Sequence, residues 1–191
     1  GPVIRNSAAF ALTGTNVSCD FDIPPDLWPC DYDENQLGQV IGNIVINAQQ
    51  AMPAGGRIEI KAKNVVLPAT ARGGLPRGRC IELSVRDNGI GIPPEILPRI
   101  FDPFFTTKQA GSGLGLASVH SIVAKHDGHI DVASQPGRGT TFRILLPASG
   151  ENVSPEKEVG AEPVAPGTGT ILVMDDEDDL RNGVDLTLRI L

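Results

Sequence analysis

Two asparagines one helical turn apart are the first residues of this sequence whose spacing suggests chemistry. Asn43 and Asn47 lie four positions apart in GQVIGNIVINAQQAM, so a helix would place them on one face, with Gln39 one turn earlier. A solvated helix surface is the simpler explanation, but asparagine is a mediocre helix former and glutamate or lysine would serve better there. The spacing therefore indicates a polar stripe that contacts a ligand.

An acid followed by closely spaced glycines forms a second group. Asp87, Gly89 and Gly91 occur in DNGIGI, directly after an alternating segment that predicts a strand. Glycines let the backbone approach a ligand closely, and an acid at a strand end can accept a hydrogen bond from an exocyclic amine such as that of adenine. Taken alone, the pattern is equally consistent with a simple turn.

A second glycine-rich segment, GSGLGL at 111–116, runs into a predicted helix from about Leu114 to His126. The N-terminal N–H groups and the dipole of a helix suit phosphate, although a plain helix start would explain the pattern as well. Between the glycine segments, FDPFFTTK holds Phe101, Phe104 and Phe105, half of the six phenylalanines. Such a cluster either anchors a loop to the core or contacts a partner.

The elements that must position these residues follow from hydrophobic periodicity. Alternation predicts strands at 17–23, 57–66, 79–86, 129–135 and 140–146, and a short extended piece at 27–32. Helical spacing predicts a helix that begins at the N-cap Asp33 and ends before Pro53. The irregular stretch 87–113 is too long for a simple connection, so we predict that it is a lid, and we call it the lid segment.

Charge and composition divide the chain and exclude some functions. Residues 151–191 hold 10 of the 23 acidic residues and 3 of the 16 basic ones, so the net charge of −7 lies there. Residues 148–169 have the composition of a flexible linker, and 170–191 predict a strand and a helix of a second, truncated module. The sequence has no basic stripe for nucleic acid and no apolar run near the roughly 18 residues of a membrane helix.

The cysteines indicate a reducing compartment. They are odd in number, lack a CxxC spacing and have apolar neighbours, which predicts reduced core residues and a cytosolic location: Cys19, Cys30 and Cys80.

Taken together and in order, the motifs resemble the catalytic ATP-binding domain of sensor histidine kinases. The helix with NxxxN, DNGIGI after a strand, FDPFFTTK and GSGLGLA match that family's N box, first glycine box, F box and second glycine box, and GHIDVASQPGRGTTFRILLP follows. The resemblance covers about Asp20 to Pro147, and DENQLGQVIGNIVINAQQAMPAGG looks closest to nitrogen-regulation-type and related hybrid kinases. It implies an α+β fold of the Bergerat (GHKL) type, a two-layer sandwich whose mixed, mostly antiparallel sheet is covered on one face by helices, with ATP under a mobile lid.

The resemblance also implies roles for individual residues. Asn47 would bind Mg²⁺, Asn43 would lie near the phosphates, and Asp87 would accept the adenine amine. Many relatives have a basic residue where Gln50 stands, so Lys108 becomes the candidate cation that neutralises the phosphates, with a solvated lysine as the alternative. The implied catalytic set is Asn43, Lys108 and Gln39. The other implied nucleotide contacts are Gly89, Gly91, Ile92, Phe101, Thr107, Gly111, Ser112, Gly113, Leu114, Gly115, Leu116 and Thr140.

Position 43 separates two kinds of chemistry. In type II topoisomerases, mismatch-repair ATPases and a heat-shock chaperone family, which share the fold, the corresponding residue is usually a glutamate that activates water. Neither Asn43 nor Gln39 can act as a general base. The sequence therefore favours phosphoryl transfer over hydrolysis, and a module that binds ATP without catalysis is the alternative.

The resemblance places the phosphoacceptor histidine outside this sequence. None of the three histidines lies in an acceptor pattern, so His120, His126 and His129 are predicted to be structural or surface residues. Residues 1–16 are expected to be a remnant or linker from the dimerisation region, 17–147 the catalytic domain, and 170–191 the start of a response-regulator receiver in which Asp175 and Asp176 would bind Mg²⁺. Expected partners are ATP, ADP, the protein's own dimerisation and histidine phosphotransfer domain, and a receiver domain. The full-length protein is expected to be a bacterial homodimer, with this domain in the cytoplasm and any membrane contact through segments outside this sequence.

Overall fold

The computed structural model describes residues 1–68, 75–108 and 111–149. In chain order the elements are α1 (Pro2–Ala11), β1 (Val17–Asp22), α2 (Glu34–Gln50), β2 (Gly56–Leu67), β3 (Gly78–Asp87), a 3₁₀ turn (Leu97–Arg99), α3 (Gly115–Lys125), β4 (His129–Gln135) and β5 (Gly139–Pro147). The strands form one sheet in the order β1-β2-β3-β5-β4. The β1–β2 pair is parallel and the other three pairs are antiparallel, which confirms the predicted α+β fold with a mostly antiparallel sheet.

Helix α2 begins and ends where the sequence predicts. The Asp33 carboxylate accepts a hydrogen bond from the Gln36 backbone N–H at 2.9 Å, so one of the unpaired donors of the first turn is satisfied. The apolar face of α2 is fully or almost fully buried and consists of Val40, Ile41, Ile44, Val45 and Ala48. Burial of this face fixes the rotation of the helix, and the Asn43–Asn47 stripe is left at its edge.

The sheet has one apolar and one charged face. Alternate side chains of the central strands enter the same core as the helices, among them Ile58, Ile60, Leu83, Val85 and Ile144. On the other face, Glu82 pairs with Lys63 at 3.0 Å and with Arg143 at 3.9 Å. Ion pairs between partly exposed side chains contribute little stability, but these make this face of the sheet polar.

The N-terminal helix α1 was not predicted. Its residues Ile4 and Ala8 lie one turn apart and are buried at 7% and 0% exposure in the core that α2 also forms. The segment before residue 17, which was expected to be a remnant or linker, therefore packs as part of this domain.

Two short segments lie at the edges of the predicted elements. The piece at 27–32, predicted to be extended, is not part of the sheet, and its Trp28 backbone N–H donates to Asn64 Oδ1 at 2.9 Å. At the other end of the domain, Ala148 and Ser149 donate backbone hydrogen bonds of 2.9 and 2.8 Å to the Arg79 and Pro29 carbonyls. The first two residues of the predicted linker, 148 and 149, are thus hydrogen-bonded to the domain.

Other expectations fall partly or wholly beyond this region. The rest of the predicted linker and the receiver-like segment at 170–191, with Asp175 and Asp176, lie outside the described residues. Within residues 1–68, 75–108 and 111–149, no helix combines the length and the apolar composition needed to cross a membrane. The three cysteines are free, as predicted, and burial raises the pKa of Cys19 to about 11, which keeps it a thiol at neutral pH.

The histidines have the structural surroundings that the sequence predicted. The His126 ring stacks on Tyr32 at 3.9 Å between centroids, and its Nδ1 lies 2.8 Å from the Ile122 carbonyl oxygen. His120 lies beside Phe101, and His129 begins β4.

Candidate functional site

The two asparagines of α2 belong to a series of hydrogen bonds that joins two helices. Asn47 Nδ2 donates to the Asn43 backbone carbonyl at 2.9 Å, and Asn43 Nδ2 donates to the Gly115 carbonyl at 3.2 Å. Because each amide nitrogen has a carbonyl partner, the orientation of both side chains is defined and Asn47 Oδ1 points away from the helix backbone. The predicted polar stripe thus connects α2 to the first residue of α3.

Lys108 of the lid segment completes the series. Its ammonium donates to Asn47 Oδ1 at 2.8 Å and also to Gln50 Oε1. Desolvation of the ammonium against α2 lowers the pKa of Lys108 below its ordinary value. The lysine that the sequence nominated therefore lies beside the asparagine nominated as a metal ligand.

Asp87 ends β3 in a buried position with 4% exposure. Its Oδ1 accepts the Gly89 backbone N–H at 2.8 Å and the Thr140 backbone N–H at 3.2 Å. Burial raises the pKa of Asp87, and the backbone hydrogen bonds partly oppose that rise. With Oδ1 occupied, Oδ2 is the carboxylate oxygen left to accept a hydrogen bond from a ligand.

The turn between β4 and β5 is attached to the first glycine box through Ser134. The Ile92 backbone N–H donates to Ser134 Oγ at 2.7 Å, and this hydroxyl also lies 2.9 Å from Thr140 Oγ1 and 3.1 Å from the Gly139 carbonyl. Thr140 is itself buried at 4% exposure. Ser134 therefore connects the loop that follows Asp87 to the strand that holds the carboxylate in place.

Replacing Ser134 by alanine is expected to destabilise the domain by about 1–3 kcal/mol, because the Ile92 N–H would lose its acceptor in a partly buried setting. Thermal or urea unfolding followed by circular dichroism would measure the change. Ser121→Ala on the exposed side of α3 is the matched control and should change the free energy of unfolding by less than about 0.5 kcal/mol. Equal effects of the two substitutions would contradict this role of Ser134.

The glycines of the boxes are required for contacts between backbones. A Cβ at Gly89 would come within 2.7 Å of the Ala51 carbonyl oxygen, and Gly91 has a φ of +71° with its Cα against the Gln135 backbone. Gly113, with a φ of +69°, lies against the backbone of Phe104, whose N–H donates to the Gly113 carbonyl at 3.0 Å. Close packing of loops explains these glycines, and it brings the F box onto the second glycine box.

Gly115 is different, because a side chain there would have room. A Cβ would lie 3.7 Å from Asn43 Oδ1 and 3.9 Å from Asn47 Nδ2, which are ordinary contact distances. A Cβ at this position would touch the asparagine pair without overlap, so close packing of backbones does not require this glycine. A ligand that approaches the asparagine pair along α3 would explain it.

The three phenylalanines of the F box differ in their surroundings: two pack against other side chains of the domain and one is exposed. Phe101 packs in the core, with its ring 6.5 Å from that of Phe142. The Phe105 ring lies 4.5 Å from the guanidinium carbon of Arg99 within the lid segment. Phe104 is 74% exposed and has a φ of +64°, so it is the phenylalanine that does not act as an anchor.

Several predicted contact residues lie around the site without a direct part in this network. Gln39 lines a groove of about 500 Å³ between α1 and α2 together with Asn43, instead of joining the hydrogen-bonded series. Ile92 and Leu116 pack against the core. Leu114 is the N-cap residue of α3, and Ser112 accepts its N–H at 3.4 Å. Thr107 and Gly111 are exposed.

Four residues with a clear role here were missed from the sequence. Ser134 and Gln50 are described above; in addition, Asn88 Oδ1 accepts the Arg57 N–H at 2.9 Å, and Thr106 Oγ1 accepts the Lys108 N–H at 3.1 Å. Both are short polar residues that bond to backbone near a loop, a role for which these residue types are suited. The sequence shows the type but not the partner, which lies 31 residues away in the case of Asn88.

Asn47 Oδ1 is the oxygen of this site that could ligate a Mg²⁺ ion. Within the part of the chain that the structure describes, no three histidine, cysteine, aspartate or glutamate side chains are grouped to hold a metal ion. Mg²⁺ that arrives with a nucleotide needs only one or two oxygen ligands from the protein, because water and phosphate oxygens supply the others. Asn47 Oδ1 is such an oxygen, and it already accepts a hydrogen bond from the cationic group of Lys108.

Curated relatives include several bacterial kinases. The chain is 37% identical over 185 residues to Sensor kinase CckA of Brucella abortus, covering 90% of this chain and 20% of that protein. It is 41% identical over 134 residues to Sensory histidine kinase/phosphatase NtrB of Rhizobium meliloti, with 65% of this chain and 34% of that protein covered. The chain thus spans between a fifth and about a third of the length of these relatives.

Solved structures give the same assignment. The mycobacterial sensor histidine kinase MprB matches with a TM-score of 0.63 and 31% identity, over 77% of this chain and 93% of that one. Full-length ShkA in complex with AMPPNP matches with a TM-score of 0.61 and 26% identity, over 78% of this chain and 30% of that one. Residues 32–150 match the family described as Histidine kinase-, DNA gyrase B-, and HSP90-like ATPase. The chain therefore belongs to this family, and its relatives identify it as the ATPase catalytic domain of a protein histidine kinase.

Proposed function

We propose that this chain binds ATP together with Mg²⁺ and donates the γ-phosphoryl group to a histidine on a separate dimerisation domain. The observation that carries the proposal is the series Lys108–Asn47–Asn43–Gly115, which joins the lid segment, α2 and α3. A cation, two oriented amides and the start of a helix at one point suit a triphosphate. The solved structure of full-length ShkA in complex with AMPPNP, part of which this chain resembles, is consistent with the binding of a nucleotide.

Asp87 would recognise the base. Its Oδ1 is held by the Gly89 and Thr140 amides, so Oδ2 can accept the exocyclic amine of adenine. The acceptor is buried and preorganised, and a base that lacked a donor at this point would leave the carboxylate unpaired. This arrangement favours adenine over guanine, which presents a carbonyl oxygen at the same position.

Asn47 and Lys108 would act on the phosphates. Asn47 Oδ1 would be the protein ligand of Mg²⁺, and the bound ion would neutralise phosphate charge. Lys108 lies within hydrogen-bonding distance of that oxygen and can turn its ammonium to a phosphate oxygen. The backbone of Gly111 and Gly113 and the N-terminus of α3 would line the remaining phosphate side.

The reaction we propose is transfer and not hydrolysis. Asn43 uses its side-chain nitrogen to hold the Gly115 carbonyl, and an amide cannot remove a proton from water. An imidazole acceptor is itself a nucleophile and needs only to be positioned against the γ-phosphate. The alternatives are an ATP-binding regulatory module and an ATPase without kinase activity.

The larger protein is proposed to be a hybrid kinase with nitrogen-regulation-like motifs that acts as a cytoplasmic homodimer. The similarity to Sensor kinase CckA covers 90% of this chain, which is more than residues 1–149 can account for. It therefore extends into the acidic C-terminal part that resembles the start of a receiver. The partners in this proposal are ATP and ADP, the protein's own dimerisation and histidine phosphotransfer domain, and a receiver domain.

The decisive experiment adds [γ-³²P]ATP and Mg²⁺ to this chain and a separately produced dimerisation domain of the same protein. Acid-labile, base-stable label on the acceptor is the expected result. Asn47→Ala should weaken ATP binding in Mg²⁺ by roughly tenfold or more, the loss expected for one strong polar contact, and should abolish transfer. Calorimetric titration with and without Mg²⁺ would measure the binding.

Gln49→Ala, two positions along α2, is the matched control and should leave both binding and transfer unchanged. If ATP bound normally but no phosphohistidine formed, the regulatory-module alternative would replace the kinase proposal. If phosphate were released at the same rate with and without the acceptor, the chain would be an ATPase.

A further inference from the structure

Gln50 makes a contact that none of the family motifs accounts for. It is the last residue of α2 and lies three positions after Asn47, so both side chains project from the same face of the helix. The two amide oxygens, Asn47 Oδ1 and Gln50 Oε1, accept hydrogen bonds from one ammonium group, that of Lys108. Two oxygens on α2 thus converge on a cation that belongs to the lid segment.

We infer that Gln50 is a positioning residue that holds the Lys108 ammonium at the phosphate end of the nucleotide site. The inference rests on the proposed function, in which Lys108 neutralises phosphate charge. The last turn of α2 contains no basic residue of its own. The cation at this end of the helix therefore comes from the lid segment, and Gln50 is the part of α2 that receives it.

Asn47 alone cannot do this once a metal binds. Its Nδ2 is committed to the Asn43 carbonyl, so Oδ1 is its only atom for either Lys108 or Mg²⁺. When Oδ1 coordinates Mg²⁺, Lys108 must leave it, because two cations cannot share one oxygen at contact distance without strong repulsion. Gln50 Oε1 then keeps the ammonium near the phosphates while Asn47 is released.

A neutral amide suits this task better than a carboxylate. Gln50 accepts a hydrogen bond without cancelling the positive charge, whereas glutamate would form an ion pair and turn a negative group toward the phosphates. Among the described residues, Lys108 takes part in none of the ion pairs with acidic side chains. Its charge is therefore available to a nucleotide.

The test measures ATP affinity by calorimetry, first in EDTA and then in Mg²⁺. In EDTA the phosphates depend on Lys108, so Lys108→Gln should weaken binding roughly tenfold. Gln50→Leu should weaken it about threefold, and Gln50→Glu should weaken it more than Gln50→Leu does because it adds a negative charge. In Mg²⁺ the effect of Lys108→Gln should become smaller, since the ion neutralises much of the phosphate charge. The effect of Gln50→Leu should then come close to that of Lys108→Gln, because Asn47 Oδ1 coordinates the ion and Gln50 alone holds the ammonium.

The double variant Gln50→Lys with Lys108→Gln distinguishes a positioning role from a merely structural one. Recovery of ATP affinity in this variant is not expected if Gln50 only stabilises the fold. The double variant transfers the cation to α2 and the amide to the lid segment, and its affinity in EDTA should return to within about threefold of the unchanged protein. Gln49→Leu is the same substitution one residue earlier, and it should have no effect on ATP affinity. Thermal unfolding of each variant should remain close to that of the unchanged protein, because both Gln50 and Lys108 are exposed.

Two outcomes would overturn the inference. One is a Gln50→Leu variant with the affinity of the unchanged protein in EDTA, and the other is a double variant as weak as Lys108→Gln alone. Failure of the unchanged protein to bind ATP at all would instead contradict the proposed function, so the two failures can be told apart.

Discussion

Replacing Asp87 by asparagine is expected to weaken ATP binding roughly hundredfold and, at the same time, to make the fold more stable. Asparagine has the shape of aspartate, and its Oδ1 can still accept the Gly89 and Thr140 backbone N–H groups. The change is at the second terminal atom, where an acceptor becomes an NH₂ donor. That donor would face the adenine amine, which is also a donor, so the contact is lost and a buried polar group is left unpaired.

The gain in stability follows from the direction of the pKa shift. Burial raises the pKa of Asp87 above the ordinary value of 3.8, so the folded state binds its proton more tightly than the unfolded chain does. The fold therefore loses stability as the pH rises from about 3.8 through the raised pKa, and the full cost is present above it. Asparagine carries no charge at any of these pH values and avoids that cost.

Differential scanning calorimetry from pH 7 downward, together with ATP titration, would measure both effects. The higher Tm of Asp87→Asn should be largest near neutral pH and should shrink as the pH falls through the raised pKa. Below about 3.8 the difference should be gone, because the wild-type carboxyl is then protonated in both the folded and the unfolded state. Asp22→Asn, at the exposed end of β1, should change neither Tm nor affinity. A variant that bound ATP normally would refute the adenine assignment, and a lower Tm at pH 7 would show that ionised Asp87 stabilises the fold.

The sequence was sufficient wherever a local pattern determines the structure. The N-cap Asp33, the apolar face of α2 and the alternation of five strands each depend on neighbours within a few residues, and each was predicted. The nucleotide hypothesis had a different basis, because it came from the resemblance of the ordered motifs to a known family. Helix α1 was not predicted because it is ten residues long and begins at a proline. It buries only two residues, Ile4 and Ala8, which are too few for a clear hydrophobic period.

Contacts between distant segments could not be predicted in this way. Lys108 reaches Gln50 across 58 positions of sequence, and the path of the lid segment, not any local propensity, decides where its ammonium lies. Ser134 looks like any polar residue of an alternating strand, and its contact with the Ile92 N–H appears only when the β4–β5 turn meets the first glycine box. The residue types of the site were therefore visible in the sequence, while their partners were not.

Gly91→Ala tests the contact between the first glycine box and the β4–β5 turn. It is expected to destabilise the domain by roughly 3 kcal/mol or more. Gly91 has a φ of +71°, which costs a non-glycine residue about 1–2 kcal/mol, and its Cβ would also overlap the Gln135 backbone. That second effect would separate the turn from the Ile90 carbonyl, which accepts the Gly137 N–H at 2.8 Å. ATP binding should fall with the stability, because the Asp87 loop loses its support.

Gly137→Ala provides a control with the same backbone strain and no overlap. Its φ is +74°, and no atom outside its chain neighbours lies within 4 Å of a Cβ at this position. It should therefore cost only the conformational term of about 1–2 kcal/mol and leave ATP affinity near that of the unchanged protein. Urea unfolding of both variants separates the two contributions, because the difference between their losses is the cost of the overlap with the β4–β5 turn. Equal losses of stability, or equal ATP affinities, would contradict a role of this close contact in supporting the Asp87 loop.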